Sequence, residues 1–229
     1  MLTVPALILF GLPPTVANGT NRIALLAQNL GGVWSFSRRQ LVHRRWAIVG
    51  GPPIVAGALL GAWIATVVDD AFFQDALGIA MLIIAAYTVW DPVKARVPSE
   101  DPTDEELDLA NHPLGRFGIS VALFLIGVYG GFIQIGLGFL ILAIAASAGI
   151  DFVRGSAMKV LLVLLYTIPV LALFWFSGKV DLAMGLALAL GNMTGAFIGV
   201  RLAVAAGHKW VKRIVTVAVV ALAARMLLG

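Results

Sequence analysis

The sequence contains no cysteine and few charged residues. Without cysteine the chain forms no disulfide, thiolate zinc site or iron–sulfur cluster. Charged residues make up 12% of the 229, against about 25% in a soluble globular domain, and 60% of the residues are hydrophobic. These figures exclude a soluble enzyme, a disordered chain and a disulfide-rich secreted domain. They favour a polytopic membrane protein.

Motifs for catalysis, metal binding and nucleotide binding are also missing. The chain has no G-x-x-x-x-G-K-[ST] or H-E-x-x-H sequence, and its three histidines lie far apart. The net charge of +4 comes from short basic clusters between apolar runs, which is how membrane proteins fix their orientation. We therefore predict no catalytic residues, no metal, no cofactor and no nucleic-acid partner.

The apolar runs predict an all-α protein with about seven or eight transmembrane segments, because one span needs about 20 apolar residues. Residues 2–12 are apolar but too short to cross a bilayer. The first span runs to about Phe36 and is expected to begin near Ala17. The other predicted spans are about Ala47 to Val68, Leu77 to Trp90, Phe117 to Ile150, Lys159 to Phe176, Leu182 to Ala206 and Val211 to Leu228. An acidic turn formed by Asp69, Asp70 and Asp75 precedes the predicted span that begins at Leu77.

A single long polar stretch, residues 91–115, divides the sequence. It holds seven of the twelve acidic residues and four prolines, a composition typical of a linker. We therefore predict a first transmembrane repeat in residues 1–90 and a second in residues 116–229.

Two matches between these halves indicate an internal duplication. Asn18-Gly-Thr matches Arg154-Gly-Ser at an offset of 136, and the GAxxG sequence from Gly57 matches that from Gly195 at an offset of 138. Small residues at this spacing are also common in membrane helices that merely pack closely. Because the start of the second half has no counterpart after Met1, we expect the chain to be short at its N-terminus, through a misassigned start codon or a truncation.

The number of basic residues on each side of the membrane distinguishes two possible topologies. If residues 117–150 cross the membrane once, the repeats are parallel and the two sides hold eight and six Lys or Arg. If this run is a re-entrant hairpin broken at its glycines, the repeats are inverted and the sides hold twelve and two. The positive-inside rule favours the second arrangement, with the basic loops in the cytoplasm.

Several segments resemble the TauE/SafE family of membrane transporters. They are Leu2–Leu7, Gly11–Pro14, Val16–Arg22 with its ANGTN motif, and the glycine-rich run Gly127–Gly138. The resemblance covers nearly the whole chain and implies an internal duplication of about eight helices. It also implies transport of sulfite, sulfonates and related organosulfur anions. Members usually open with a glycine-rich helix before the residues that match Leu2 to Pro5, and this sequence lacks it.

Two groups of residues are candidates for binding an anion. A break in the glycine-rich run would present backbone N–H groups, although glycines also allow simple close packing. A polar group opens the first span, where a helix cap and an interfacial arginine are the alternative interpretation. The candidates are Gly130, Gly131, Gln134, Gly136 and Gly138 at the break, Asn18, Thr20, Asn21 and Arg22 at the first span, and Ser156 and Lys159 at the matching place in the second half.

Isolated polar residues within apolar spans are further candidates. Amides inside the bilayer must face the bundle or a cavity, where they bind either a neighbouring helix or a solute. These residues are Gln28, Asn29, Asn192 and Thr194, together with Arg201.

The leading hypothesis is a secondary transporter of a small anion, located in the plasma or inner membrane and working by alternating access. The alternatives are a transporter of a different solute, a non-transporting scaffold or partner subunit, and a membrane enzyme, for which no catalytic pair is found. The sequence leaves open the substrate, the direction of transport, the coupling ion and whether the chain forms a homo-oligomer.

The inverted topology makes a direct prediction. A reporter fused after Leu228 should face the outside of the cell, because the hairpin returns to its own side of the membrane. Activity of paired reporters that function on only one side, such as alkaline phosphatase and green fluorescent protein, measures this. A cytoplasmic signal would instead support the parallel arrangement.

Overall fold

The computed structural model describes residues 2–90 and 114–192, and within them every regular element is a helix. The all-α prediction is therefore confirmed for this part of the chain. The helices are α1 (Thr3–Leu9), α2 (Pro14–Arg38), α3 (Gly51–Val67, which continues a π-helical turn at Trp46–Gly50), α4 (Asp70–Trp90), α5 (Gly115–Phe132), α6 (Leu137–Ser147), α7 (Phe152–Phe176) and α8 (Leu182–Asn192).

Among the described residues, three helical stretches are long and apolar enough to cross a membrane: Trp46–Val67, Gly115–Phe132 and Phe152–Phe176. The shortest has 18 residues, or about 27 Å at 1.5 Å per residue, close to the thickness of a bilayer core. The predicted spans after Asn192, including Val211 to Leu228, lie outside the described residues, as does the linker up to residue 113.

Helix α2 begins earlier than hydropathy predicts, at Pro14 rather than near Ala17. Proline suits the first helical position because its missing N–H would have no partner there. The next N–H, of Thr15, donates to Asp70 Oδ1 at 2.9 Å. The carboxylate of Asp70 thus satisfies the N-terminus of α2, whereas the sequence had placed Asp70 in an acidic turn.

Aspartates also set the starts of three other helices. Asp69 accepts a hydrogen bond from the N–H of Phe72, so α4 begins at Asp70 and Asp75 lies within it. Asp151 accepts from the N–H groups of Val153 and Arg154, and α7 begins seven residues before the predicted Lys159. Asp181 caps α8 in the same way through the N–H of Met184. Hydropathy misses the starts of α4 and α7 because the capping turns are polar, whereas it predicts the start of α8 at Leu182 correctly.

The apolar run from Phe117 to Ile150 forms two helices, α5 and α6, as its glycine content predicts. The break covers residues 133–136, where Gln134 and Gly136 have φ angles of 69° and 72°. These left-handed conformations end one helix and start the next. Gly130 and Gly131 were predicted in the break but lie inside α5, and Gly138 lies inside α6.

The described residues form two compact units. One contains residues 2–28, 66–90 and 174–192, and the other contains residues 29–65 and 114–173. Each unit takes segments from both sides of the polar stretch 91–115. The division into residues 1–90 and 116–229 therefore refers to the repeats of the sequence, and it stays a prediction.

In the second unit, α3 and α5 meet through glycines spaced four residues apart on both helices. Methyl groups added at Gly57 and Gly61 would overlap the carbonyl oxygens of Phe124 and Val128 on α5. Methyl groups at Gly127 and Gly131 would overlap those of Ile54 and Ala58 on α3. The two backbones are therefore in direct contact, which is the packing role of small-xxx-small sequences. Gly131, a predicted site residue, has this role.

We predict that Gly61→Ala destabilises the fold, because its methyl group would lie 2.8 Å from the carbonyl carbon of Val128. Overpacking of this kind costs about 1–3 kcal/mol. Thermal unfolding in detergent measures the change. Gly31→Ala on α2 is the matched control, since nothing lies within 4 Å of its added methyl group. Equal melting temperatures for the two variants would contradict the prediction.

Candidate functional site

The polar residues near the start of the chain are buried together on α2. Asn18, Thr20 and Arg22 are completely buried, and Asn21 is 5% exposed. Because α2 begins at Pro14, these residues occupy the second and third turns of the helix. They therefore do not cap the helix, and the capping interpretation of the sequence is wrong.

The connector between α7 and α8 packs directly on this polar stretch, within the first unit. Its Lys179 donates from Nζ to Thr15 Oγ1 at 3.0 Å, and the N–H of Asp181 donates to Thr20 Oγ1 at 2.9 Å. Gly19 makes the approach close, since an added methyl group would overlap the carbonyl oxygen of Lys179 and lie 2.9 Å from the ring of Phe174. The glycine of the ANGTN motif is thus explained by packing.

Arg22 is the largest buried polar side chain of the described residues. Its Nη2 lies 3.5 Å from Asn18 Oδ1, and its guanidinium carbon lies 5.6 Å from the ring centre of Phe174. The side chain does not extend to the surface, so the interpretation of Arg22 as a snorkelling interfacial arginine is wrong. Burying a guanidinium away from water is costly unless hydrogen bonds or a ligand compensate the charge.

Asn21 has a polar atom that the described residues leave unsatisfied. Its Oδ1 is buried and accepts no hydrogen bond from them. A buried amide oxygen without a partner costs about 1–3 kcal/mol. Rotation of the amide by 180° exchanges oxygen and nitrogen at nearly the same position. Asn21 is therefore able to offer either an acceptor or a donor to a bound solute.

A second polar group surrounds the break between α5 and α6, within the second unit. Gln134 Oε1 is buried and has no hydrogen-bond partner in the described part of the chain, and Tyr129 Oη donates to the carbonyl oxygen of Ile135. Lys159 of α7 lies beside the first turn of α6, with Nζ 3.9 Å from the position of a methyl group on Gly138. An ammonium and a helix N-terminus are both favourable to an anion.

Two tyrosines near the break were missed by the sequence analysis. Tyr129 bonds across the break, and Tyr166 is completely buried, with its Oη 3.4 Å from the position of a methyl group on Gly130. The only signal in the sequence is that the chain has just three tyrosines, all of them within predicted apolar spans.

Other predicted residues do not join either group. Gln28 is exposed, so the expectation that this amide is buried is wrong, whereas Asn29 is 5% exposed. Ser156 Oγ donates to the carbonyl oxygen of Phe152 in its own helix, and Asn192 is half-buried at the end of α8. Thr194 and Arg201 lie outside the described residues. Residues 2–90 and 114–192 contain no cluster of three or more His, Asp or Glu that would hold a metal ion.

Long apolar helices, together with a helix that buries an arginine and three asparagines, are typical of an α-helical membrane protein that handles a polar solute. The sequence profile described as "Sulfite exporter TauE/SafE" matches residues 1–226. The chain therefore belongs to the TauE/SafE family of membrane transporters, as its motifs indicated.

Curated relatives agree with this membership. The chain is 29% identical to "Probable membrane transporter protein ORF9" of Sinorhizobium sp, over 99% of this chain and 84% of the relative. It is 26% identical to a "Probable membrane transporter protein" of Haemophilus influenzae, over 99% of this chain and 85% of the relative. The identity is also 26% to "Probable membrane transporter protein YfcA" of Escherichia coli K12, over 99% and 81%. No solved structure matches the chain significantly.

Gly19 gives a test of the contact between the connector and α2. We predict that Gly19→Ala displaces the connector, because the added methyl group overlaps the carbonyl oxygen of Lys179. Since the chain has no cysteine, a single V180C variant reports connector exposure by its rate of maleimide labelling. Labelling should be faster in G19A/V180C than in V180C, whereas G31A/V180C should match V180C. Equal rates in all three would contradict the contact.

Proposed function

We propose that this transporter carries a small anion of the sulfite or sulfonate type across the inner or plasma membrane. The observation that supports the proposal most is the completely buried guanidinium of Arg22, whose Nη2 lies 3.5 Å from the amide oxygen of Asn18. Arginine presents several N–H donors in a planar fork, which matches the oxygens of an oxyanion. Burial strengthens such hydrogen bonds, because the local dielectric constant is low.

The second polar group, around the break between α5 and α6, is also suited to binding an anion. Lys159 and the N-terminal turn of α6 both favour negative charge, and the unsatisfied Oε1 of Gln134 is available to a hydroxyl or to the proton of a protonated anion. A hydrogen sulfite ion carries such a proton, whereas a sulfonate does not. Taking each group by itself, we expect the one around Arg22 to bind an anion more strongly, because Arg22 is completely buried.

Corresponding positions along the two halves support the repeat on which alternating access depends. Helices α2 and α7 both have 25 residues, and each is preceded and followed by a left-handed residue. All four positions recur 138 residues later. The left-handed residues before the helices are Gly11 and Gly149, and those after them are Gln40 and Gly178. The first residues of the helices are Pro14 and Phe152, and the last are Arg38 and Phe176. Transport would then follow from rocking of two inverted halves, driven by a proton or by the membrane potential.

This offset also changes the register of the repeat. The match of Asn18-Gly-Thr with Arg154-Gly-Ser uses an offset of 136, whereas the helix bounds give 138. At 138, Asn21 corresponds to Lys159 and Asn18 corresponds to Ser156. Arg22 corresponds to Val160, so the proposed site is not symmetric in charge.

Flux of labelled sulfite and a short labelled sulfonate into proteoliposomes tests the proposal. We predict that Arg22→Gln raises the half-saturating concentration about tenfold or more, because a hydrogen bond to a charged group contributes about 1.5–3 kcal/mol. Asn21→Ala should weaken uptake less, since it removes one neutral amide. Gln28→Ala is the matched control, because Gln28 lies on the same helix but is exposed.

Two results would contradict the proposal. One is unchanged uptake of both anions by a folded R22Q variant. The other is uptake by the parent protein that uncharged or cationic solutes inhibit as strongly as sulfite does. Circular dichroism and gel filtration of each variant establish that the protein is folded before uptake is compared.

A further inference from the structure

A cluster of four arginines joins α2 to the π-helical turn before α3, within the second unit. We call residues 38–45 the arginine loop. Its basic residues are Arg38, Arg39, Arg44 and Arg45, with His43 between them, and all four arginines are exposed. The first 68 residues of the chain contain no Asp or Glu.

The loop lies beside a segment that is able to span the membrane. The apolar stretch Trp46–Val67 begins at the residue after Arg45. On the other side of the loop, Trp34 is 60% exposed, and the guanidinium carbon of Arg38 lies 4.3 Å from the centre of its ring. Exposed tryptophans next to arginines are typical of the interface between lipid headgroups and acyl chains. This arrangement is the one expected of a loop at the level of the lipid phosphates.

Two details of the loop go beyond what orientation in the membrane requires. Lysine fixes orientation as well as arginine does, yet all four cations here are arginine. Arginine differs from lysine in binding phosphate through two parallel hydrogen bonds. In addition, stacking on Trp34 restricts Arg38, which lowers the entropy lost when its guanidinium binds a ligand.

From these observations we infer that the arginine loop is a binding site for an anionic phospholipid headgroup, with Arg38 held by Trp34 as its fixed element. The ligand is the phosphodiester of a lipid such as phosphatidylglycerol, whose glycerol backbone lies beside the tryptophan. Arg39, Arg44 and Arg45 supply the remaining charge. This site is separate from the residues proposed for transport, and it does not depend on them.

The melting temperature of the purified protein in mixed micelles tests the site. Replacing phosphatidylcholine with phosphatidylglycerol should raise the melting temperature of the parent by about 3 °C, the size expected for one occupied ligand site. The variant R38K/R39K/R44K/R45K keeps the charge and therefore the orientation. In phosphatidylcholine its melting temperature should equal that of the parent. In phosphatidylglycerol it should show only a small part of the parent's rise in melting temperature. R116K, at an exposed arginine outside the loop, should keep the full rise.

Three results would overturn the inference. The first is a full rise in the four-lysine variant, which would indicate attraction by charge alone. The second is an equal rise with inorganic phosphate at the same phosphate concentration, because the site would then not be a lipid site. The third is the absence of any rise in the parent. If the four-lysine variant does not fold, R38K alone is compared with R116K, and equal rises in these two would also overturn it.

Discussion

Direct contact between helix backbones is the constraint on which the rest of this structure depends. In a bilayer, burying leucine or valine between helices gains little, because lipid chains are equally apolar. Apolar side chains therefore do not decide which faces of the helices meet. Glycines decide it here: a methyl group added at Gly57 or Gly61 of α3 would overlap a carbonyl oxygen of α5, and one added at Gly127 or Gly131 of α5 would overlap a carbonyl oxygen of α3. Dispersion contacts over such short distances stabilise one register of the helix pair.

The same principle positions the polar residues of α2. Gly19 lets the α7–α8 connector approach until the backbone of Asp181 bonds to Thr20 and the ring of Phe174 covers Arg22. A helix with alanine at this position would hold the connector away from it, and water would reach the guanidinium. The ANGTN motif thus combines two features. Gly19 allows the close approach of the connector, and the amide of Asn18 lies beside the buried charge of Arg22. Removing either feature affects the environment of Arg22.

Composition and hydropathy predicted the helical class, the membrane and most of the helices, because these depend on sums over many residues. The start of the helical stretch Trp46–Val67 was predicted within one residue, and the break after α5 was predicted from glycine content. Helix starts set by Asp69 and Asp151 were missed, because capping hydrogen bonds involve single polar residues that hydropathy counts against a helix. Gln28 and Asn29 are neighbours with opposite exposure, which only packing decides. The tyrosines near the break were missed for the same reason.

The register of the proposed repeat bears on how one site is able to serve two conformations. At an offset of 138, Asn21 corresponds to Lys159, while Arg22 corresponds to an apolar valine. A pair of identical charged sites would hold an anion with equal strength in both halves, and a tightly held anion leaves slowly. One strong guanidinium and one ammonium beside a helix terminus instead give unequal hydrogen bonding in the two halves. A difference in affinity between two states is what allows a gradient or a second ligand to shift the population between them. Under the proposed repeat, a second arginine at position 160 would strengthen binding in both states and slow release.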